Sequence, residues 1–138
     1  DKVNETKRKR DSYKRRNDFN YKLKRDITRS LNLKLKNKKQ KSALKYVPFT
    51  IQELKDYLEK QFEPWMNWNN WGVYKPSEWN DNDNTTWKWQ IDHIVPQSLF
   101  DFTDEEQIKK CWALENLRPL SAKQNVLDGI NRVRHLIK

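Results

Sequence analysis

Residues 87–98 read Trp-Lys-Trp-Gln-Ile-Asp-His-Ile-Val-Pro-Gln-Ser. Trp87, Trp89 and Ile91 alternate with Lys88 and Gln90, and period-two alternation of apolar and polar residues marks a strand with one buried face. The strand runs into Asp92 and His93, so a carboxylate and an imidazole arrive together at its end. Downstream, Thr103 and Glu106 have capping-box spacing and predict a short helix through Cys111. Residues 113–120 read as a second short strand with Pro119 near its end, and Ser121 with Gln124 forms another capping box that opens a final helix over 122–136.

Upstream, Thr50 and Glu53 are a capping box, and Ile51, Leu54, Tyr57, Leu58 and Phe62 fall on one face, which predicts a helix over 50–62 ended by Pro64. Residues 65–86 hold Trp65, Trp68, Trp71 and Trp79 among Asn, Gly72 and Pro76 with no sustained period, the mark of a long ordered loop held by aromatic burial. Loops this long are uncommon without a function. The 7 Trp suit core packing better than base stacking, because Trp87 and Trp89 alternate on a strand and the others flank a helix end. The fold class is α+β.

Charge divides the chain. Residues 1–45 carry 18 Lys or Arg against 5 Asp or Glu, whereas residues 46–138 carry 11 against 14, so the formal balance of +10 comes from the N-terminal segment. Within that segment Phe19, Leu23, Ile27, Leu31 and Leu35 recur every fourth residue and predict a basic helix over 13–36. A solvated tail is the other reading of so charged a stretch. Two parts follow: a strongly basic helical arm at 1–45, and a domain at 46–138 made of the helix 50–62, the Trp-rich loop 65–86 and a core at 87–137. Such a surplus of cations suits a polyanionic partner. The apolar runs are too short to span a bilayer, no secretory signal is recognisable, and the single Cys111 excludes a disulfide framework and a cysteine-based zinc site. An intracellular setting, in the cytoplasm of a bacterial or virus-infected host or in a nucleus, is expected.

The order strand end (Asp92, His93), second strand (Asn116), first helical turn (Asn125) lets all four residues meet at one small cleft. A hard dication such as Mg²⁺ takes oxygen ligands and keeps several waters, so a carboxylate from Asp92 and an amide oxygen from Asn125 are a sufficient protein share. An imidazole there, with an ordinary pKa of about 6.5, is a general base for water, which gives that role to His93. Asn116, able to donate and accept, anchors the loop that follows His93. Taken singly, an adjacent Asp–His pair is more often a satisfied structural pair, and a lone Asn a cap or turn residue.

The stretch Ile91-Asp92-His93-Ile94-Val95-Pro96-Gln97-Ser98, followed by Glu115-Asn116-Leu117-Arg118-Pro119-Leu120 and Asn125, resembles the HNH endonuclease family with its ββα-metal fold. The segment is similar to that of the HNH domain in RNA-guided CRISPR nucleases, and the step from Asn116 to Asn125 is also theirs. The segments at 49–62 and 66–72 resemble free-standing HNH proteins of phages and large viruses. The resemblance implies that His93 activates water, that Asp92 and Asn125 hold one Mg²⁺ or Mn²⁺ per site, that Asn116 is structural between the motif's halves, and that no structural zinc is needed. Two positions depart from the pattern: Gln90 stands where many members have a further acid, and Asp128 where many have a basic residue.

The implied function is hydrolysis of DNA phosphodiester bonds, with double-stranded DNA as partner, no membrane, and a homing or nicking role in a phage, virus or intron. Arg118 and Lys123 flank the site and either bind phosphate oxygens or stand as solvated charges near a helix start. Arg8, Arg10, Arg15, Arg16, Lys22, Arg25 and Arg29 of the basic arm are expected to contact phosphates, giving salt-dependent affinity without sequence readout. The rival readings are a catalytically weak or inactive nucleic-acid-binding protein and a restriction or toxin nuclease on the same core. His135, in the last turn of the final helix, and Cys111 are read as structural.

Overall fold

A computed structural model describes residues 18–35 and 43–137. Among them are four α-helices and one two-stranded antiparallel sheet, an α+β arrangement. Helix α1 spans Phe19–Leu35. Asp18 caps it, its carboxylate accepting from the Tyr21 amide at 3.2 Å and its carbonyl from the Lys22 amide at 3.1 Å. Residues 13–17 and 36 of the expected helix lie outside the described residues. Leu23, Ile27, Leu31 and Leu35 are buried at their four-residue spacing, and they share one hydrophobic cluster with Leu54, Leu58 and Trp89. The basic helix is thereby a wall of the core. Phe19, the first residue of the stripe, lies half-buried with its ring 6.1 Å from that of Trp68.

Helix α2 spans Ile51–Glu59 with both hydrogen bonds of the Thr50–Glu53 capping box in place. It ends three residues before the predicted 62. The Gln61 and Phe62 amides reach back only three residues, to Leu58 and Glu59, and the residue before Pro64 disfavours helical backbone. Released from the helix, the Phe62 ring packs 5.0 Å from Trp89 and 5.6 Å from Trp68. The Trp-rich loop is fastened at both ends. Trp89 Nε1 donates to the Asn67 carbonyl at 2.6 Å and the Gly72 amide to the Trp89 carbonyl at 3.0 Å, while Trp79 stacks on Trp87 at 5.8 Å. Trp89 and Trp112 are buried, and Trp65, Trp68 and Trp71 pack against the same core.

Strand β1 spans Trp89–His93 and β2 Leu117–Ser121, in the register Trp89 opposite Ser121, Ile91 opposite Pro119, Asp92 opposite Arg118 and His93 opposite Leu117. Both strands are shorter than predicted. The Trp87 amide bonds to the Asn84 carbonyl and closes a turn, and Leu114–Asn116 form a 3-10 turn before β2 begins. Between the strands lies helix α3, Glu105–Cys111. Its cap is Asp104, whose carboxylate accepts from the Glu106 amide at 3.0 Å; Thr103, the predicted cap, instead bonds through backbone and hydroxyl to Asp101. Helix α4, Ala122–Ile137, follows β2 without a loop, its start marked by the Gln124 amide donating to Ser121 Oγ at 3.2 Å. No described helix is long and apolar enough to cross a membrane.

The packing of α1 makes a direct prediction. Leu23→Ala or Leu31→Ala, each removing a side chain with 0% exposure, should lower unfolding free energy by about 2–5 kcal/mol. Leu33→Ala on the same helix, 70% exposed, should stay within about 0.5 kcal/mol of the parent. Urea unfolding of the three variants checks it; equal losses at Leu23 and Leu33 would mean that α1 does not pack as described.

Candidate active site

Alternation along β1 sends Gln90 and Asp92 to one face and Trp89, Ile91 and His93 to the other. Asp92 is buried, and Arg118, its cross-strand partner, donates from Nε to Asp92 Oδ2 at 2.8 Å. An ionised carboxylate this far from water needs such a counter-charge. Because β2 runs straight into α4, with the Ala122 amide donating to the Lys88 carbonyl at 2.8 Å, the first turns of α4 come over the same face. There Asn125 Nδ2 donates to Gln90 Oε1 at 2.7 Å, leaving Oδ1 as the acceptor end of the amide. One sheet face thus carries Asp92, Arg118, Gln90 and, through Gln90, Asn125.

His93 occupies the opposite face, because adjacent strand residues alternate, so the single cleft expected for Asp92, His93, Asn116 and Asn125 is divided between two faces. It is buried with its ring edge-on to Trp112 at 4.4 Å, and its Nε2 has no hydrogen-bond partner in the protein. Burial disfavours the imidazolium and pushes the pKa from 6.5 down to about 4, so the ring is neutral at physiological pH. The loop that follows is clasped by Asn116. Its Oδ1 accepts from the Val95 amide at 2.8 Å, its Nδ2 donates to the carbonyls of Cys111 (2.8 Å) and Val95 (3.2 Å), and its own carbonyl accepts from the Ile94 amide at 2.8 Å. One side chain therefore ties the end of β1 to the end of α3.

The other predicted residues are placed elsewhere. Lys123 Nζ is held by both oxygens of Asp81 at 2.7 and 2.8 Å, which joins α4 to the Trp-rich loop; that bond raises the ammonium pKa and lowers that of the carboxyl. Asp128 accepts from Gln124 Nε2 at 2.7 Å, one turn back along α4. Arg25 and Arg29 are exposed on α1 and Lys22 is half-buried beside them, with Arg25 Nε 3.6 Å from Asp26. Arg8, Arg10, Arg15 and Arg16 lie outside the described residues. Cys111 is buried, and burial lifts its thiol pKa to about 11, as befits a structural cysteine.

Four contacts went unread in the sequence: Asp92 with Arg118, Gln90 with Asn125, Trp112 with His93, and Asp81 with Lys123. The Gln90 contact had a signal, since Gln90 sits two residues from Asp92 and must share its face; the other three join distant segments and had none. Among the described residues no three His, Cys, Asp or Glu side chains converge as metal ligands. The donors on the Asp92 face are a carboxylate and an amide oxygen. These are hard oxygen donors, the kind that Mg²⁺ or Mn²⁺ accepts.

No protein-family model matches the chain, and no solved structure matches it. Two curated proteins of Acanthamoeba polyphaga mimivirus are similar to it, both described as uncharacterized. One is 34% identical over 128 residues and the other 25% identical over 126, each alignment covering 91% of this chain and 50% of the relative. The chain spans about half the length of the curated relatives it matches.

The His93 environment sets a pH dependence. The folded-state pKa of about 4 lies below the ordinary 6.5, so between those values the unfolded chain binds the proton more readily and acid favours unfolding. The contribution is complete above 6.5, is lost progressively as pH falls toward 4, and changes no further below that. Unfolding midpoints measured across this window should fall more steeply for the parent than for His93→Gln; parallel profiles would contradict the burial of the ring.

Proposed function

We propose that the chain is a metal-dependent DNA endonuclease of the HNH type, hydrolysing phosphodiester bonds as a viral, phage or intron-associated homing or nicking enzyme does. The observation that carries this reading is the antiparallel strand pair leading directly into α4. It gathers Asp92, Arg118 and Asn125 on one face, with His93 at the same strand end. In this reading a ββα-metal core is formed by β1, β2 and α4. The similarity to giant-virus proteins supports a viral setting, inside an infected host cell.

Each residue then has a task. Asp92 and Asn125 would hold a single Mg²⁺ or Mn²⁺, which would supply charge neutralisation at the scissile phosphate and the leaving 3′ oxygen. His93 is kept neutral by burial, and because its ring lies on the face opposite Asp92, it would accept the proton of the attacking water only after turning at the strand end toward the metal face. Asn116 fixes the loop behind it. Arg118 holds Asp92 through Nε and, with a side chain 37% exposed, keeps further guanidinium donors for a non-bridging phosphate oxygen. Gln90 orients the Asn125 amide, which gives a task to the position where many family members carry an acid. Lys22, Arg25 and Arg29 supply phosphate contacts along α1, and affinity falls steeply with salt. Lys123, bound to Asp81, contributes to DNA contact only after that pair opens.

A second reading is favoured by one observation: Arg118 already satisfies Asp92. A nucleic-acid-binding protein without catalysis would show the same pair. Conversion of supercoiled plasmid to nicked or linear form at low salt, with Mg²⁺, Mn²⁺ or EDTA, separates the two. The endonuclease reading predicts metal-dependent cutting that drops at least about 100-fold in His93→Ala and Asn125→Ala. A chain that binds the plasmid and never cuts it establishes the second reading.

A further inference from the structure

The face of β1 that carries His93 borders, together with α1, an open cleft of about 230 Å³, which Gln90 also lines. Ile27 from α1, Ile91 from β1 and Trp71 supply apolar walls. Three polar atoms with no partner in the protein belong to residues that line it: His93 Nε2, Gln97 Oε1 and Trp112 Nε1. His93 and Trp112 are more than nine-tenths buried, at 9% and 3% exposure. Buried polar atoms are ordinarily satisfied, and an apolar hollow with a few unsatisfied polar groups has the composition of a ligand site.

Size, charge and polarity narrow the occupant. A cavity of roughly 150 Å³ takes up a benzene ring, so this one has room for a heterocycle. No Lys or Arg lines it, which disfavours a phosphate or carboxylate, and the lining carboxylate, Asp26, is exposed and paired with Arg25 at 3.6 Å, which disfavours a cation and leaves a neutral ligand. The Trp112 N–H requires an acceptor and the Gln97 carbonyl a donor, so the ligand carries both on its edge, as a nucleobase does. On α1, Asp26 and Ser30 line the cavity, and Lys22, Arg25 and Arg29 form the neighbouring stripe at helical spacing, with Arg25 and Arg29 exposed. A cationic track for phosphates therefore runs beside a neutral hollow.

We propose that this cleft between α1 and β1 receives a single unpaired or extruded nucleobase, whose flanking phosphates lie along Lys22, Arg25 and Arg29. The proposal rests on the nucleic-acid reading above but not on hydrolysis. Its test is binding by the full chain in EDTA at fixed low salt, with three short duplexes: one bearing a single unpaired nucleotide, one with an abasic residue in that place, and one fully paired. Free nucleosides form a separate arm, and the indole N–H resonance of Trp112, assigned with Trp112→Phe, reports occupancy. The duplex with the unpaired base should bind about tenfold more tightly than the abasic one, shift the Trp112 resonance, and lose its advantage in Gln97→Met, whose unfolding midpoint confirms that it folds. A Trp112 shift with free nucleosides and no preference among the duplexes keeps the pocket and makes a free nucleoside its ligand. Equal affinity for the three duplexes with an unmoved Trp112 resonance in every arm overturns the proposal. A base preference without plasmid cutting would leave this site standing and remove the nuclease reading alone.

Discussion

Trp89–His93 against Leu117–Ser121 is a short pairing, and its register holds Asp92 opposite Arg118 and His93 opposite Leu117. A slip of one residue would move Asp92 to the face now occupied by His93 and leave its carboxylate without the guanidinium that makes its burial tolerable. Two devices outside the ladder hold the register. Asn116 clasps the residues just beyond β1 to the end of α3, and the Trp89 indole donates into the Trp-rich loop while its carbonyl takes the Gly72 amide. The long loop is therefore a brace for β1, and the aromatic side chains around Trp68 fill the space between that brace and α1.

Helix α1 combines two properties that sequence composition treats as opposed. Its leucine and isoleucine stripe is as deeply buried as any part of the core, while Arg25 and Arg29 stay in water. Burial of the stripe fixes the helix, and a fixed helix presents its cations in one arrangement beside the His93 cavity. Cations on a solvated tail would give the same net charge with none of that geometry, and with a larger ordering cost on binding a polyanion.

Local signals were readable wherever the physics is local. The four-residue stripe of α1, the Thr50–Glu53 box and the alternation into Asp92 and His93 each appear in the structure because hydrogen bonds or burial within a few residues determine them. Boundaries failed where a neighbour competed: Asp104 replaced Thr103 as a cap, and Trp87 entered a turn rather than the strand. At the site, the roster of polar residues was legible but their pairing was not. Asp92 with Arg118 and Asn125 with Gln90 are set by strand register and by the way α4 leaves β2, which no local pattern encodes. Alternation divides Asp92 and His93 between opposite faces, against the single cleft expected for them, and only the structure shows that the His93 face opens onto a cavity.

The central claim is that Asp92 and Asn125 together bind one hard dication. Titration of the isotopically labelled chain with Mn²⁺, read as paramagnetic broadening of backbone amide resonances, addresses it directly. The account predicts saturable broadening centred on Asp92, Arg118 and Asn125, displaced by excess Mg²⁺ and abolished in Asp92→Asn. Broadening that scatters over the exposed carboxylates, or that survives Asp92→Asn unchanged, would contradict it.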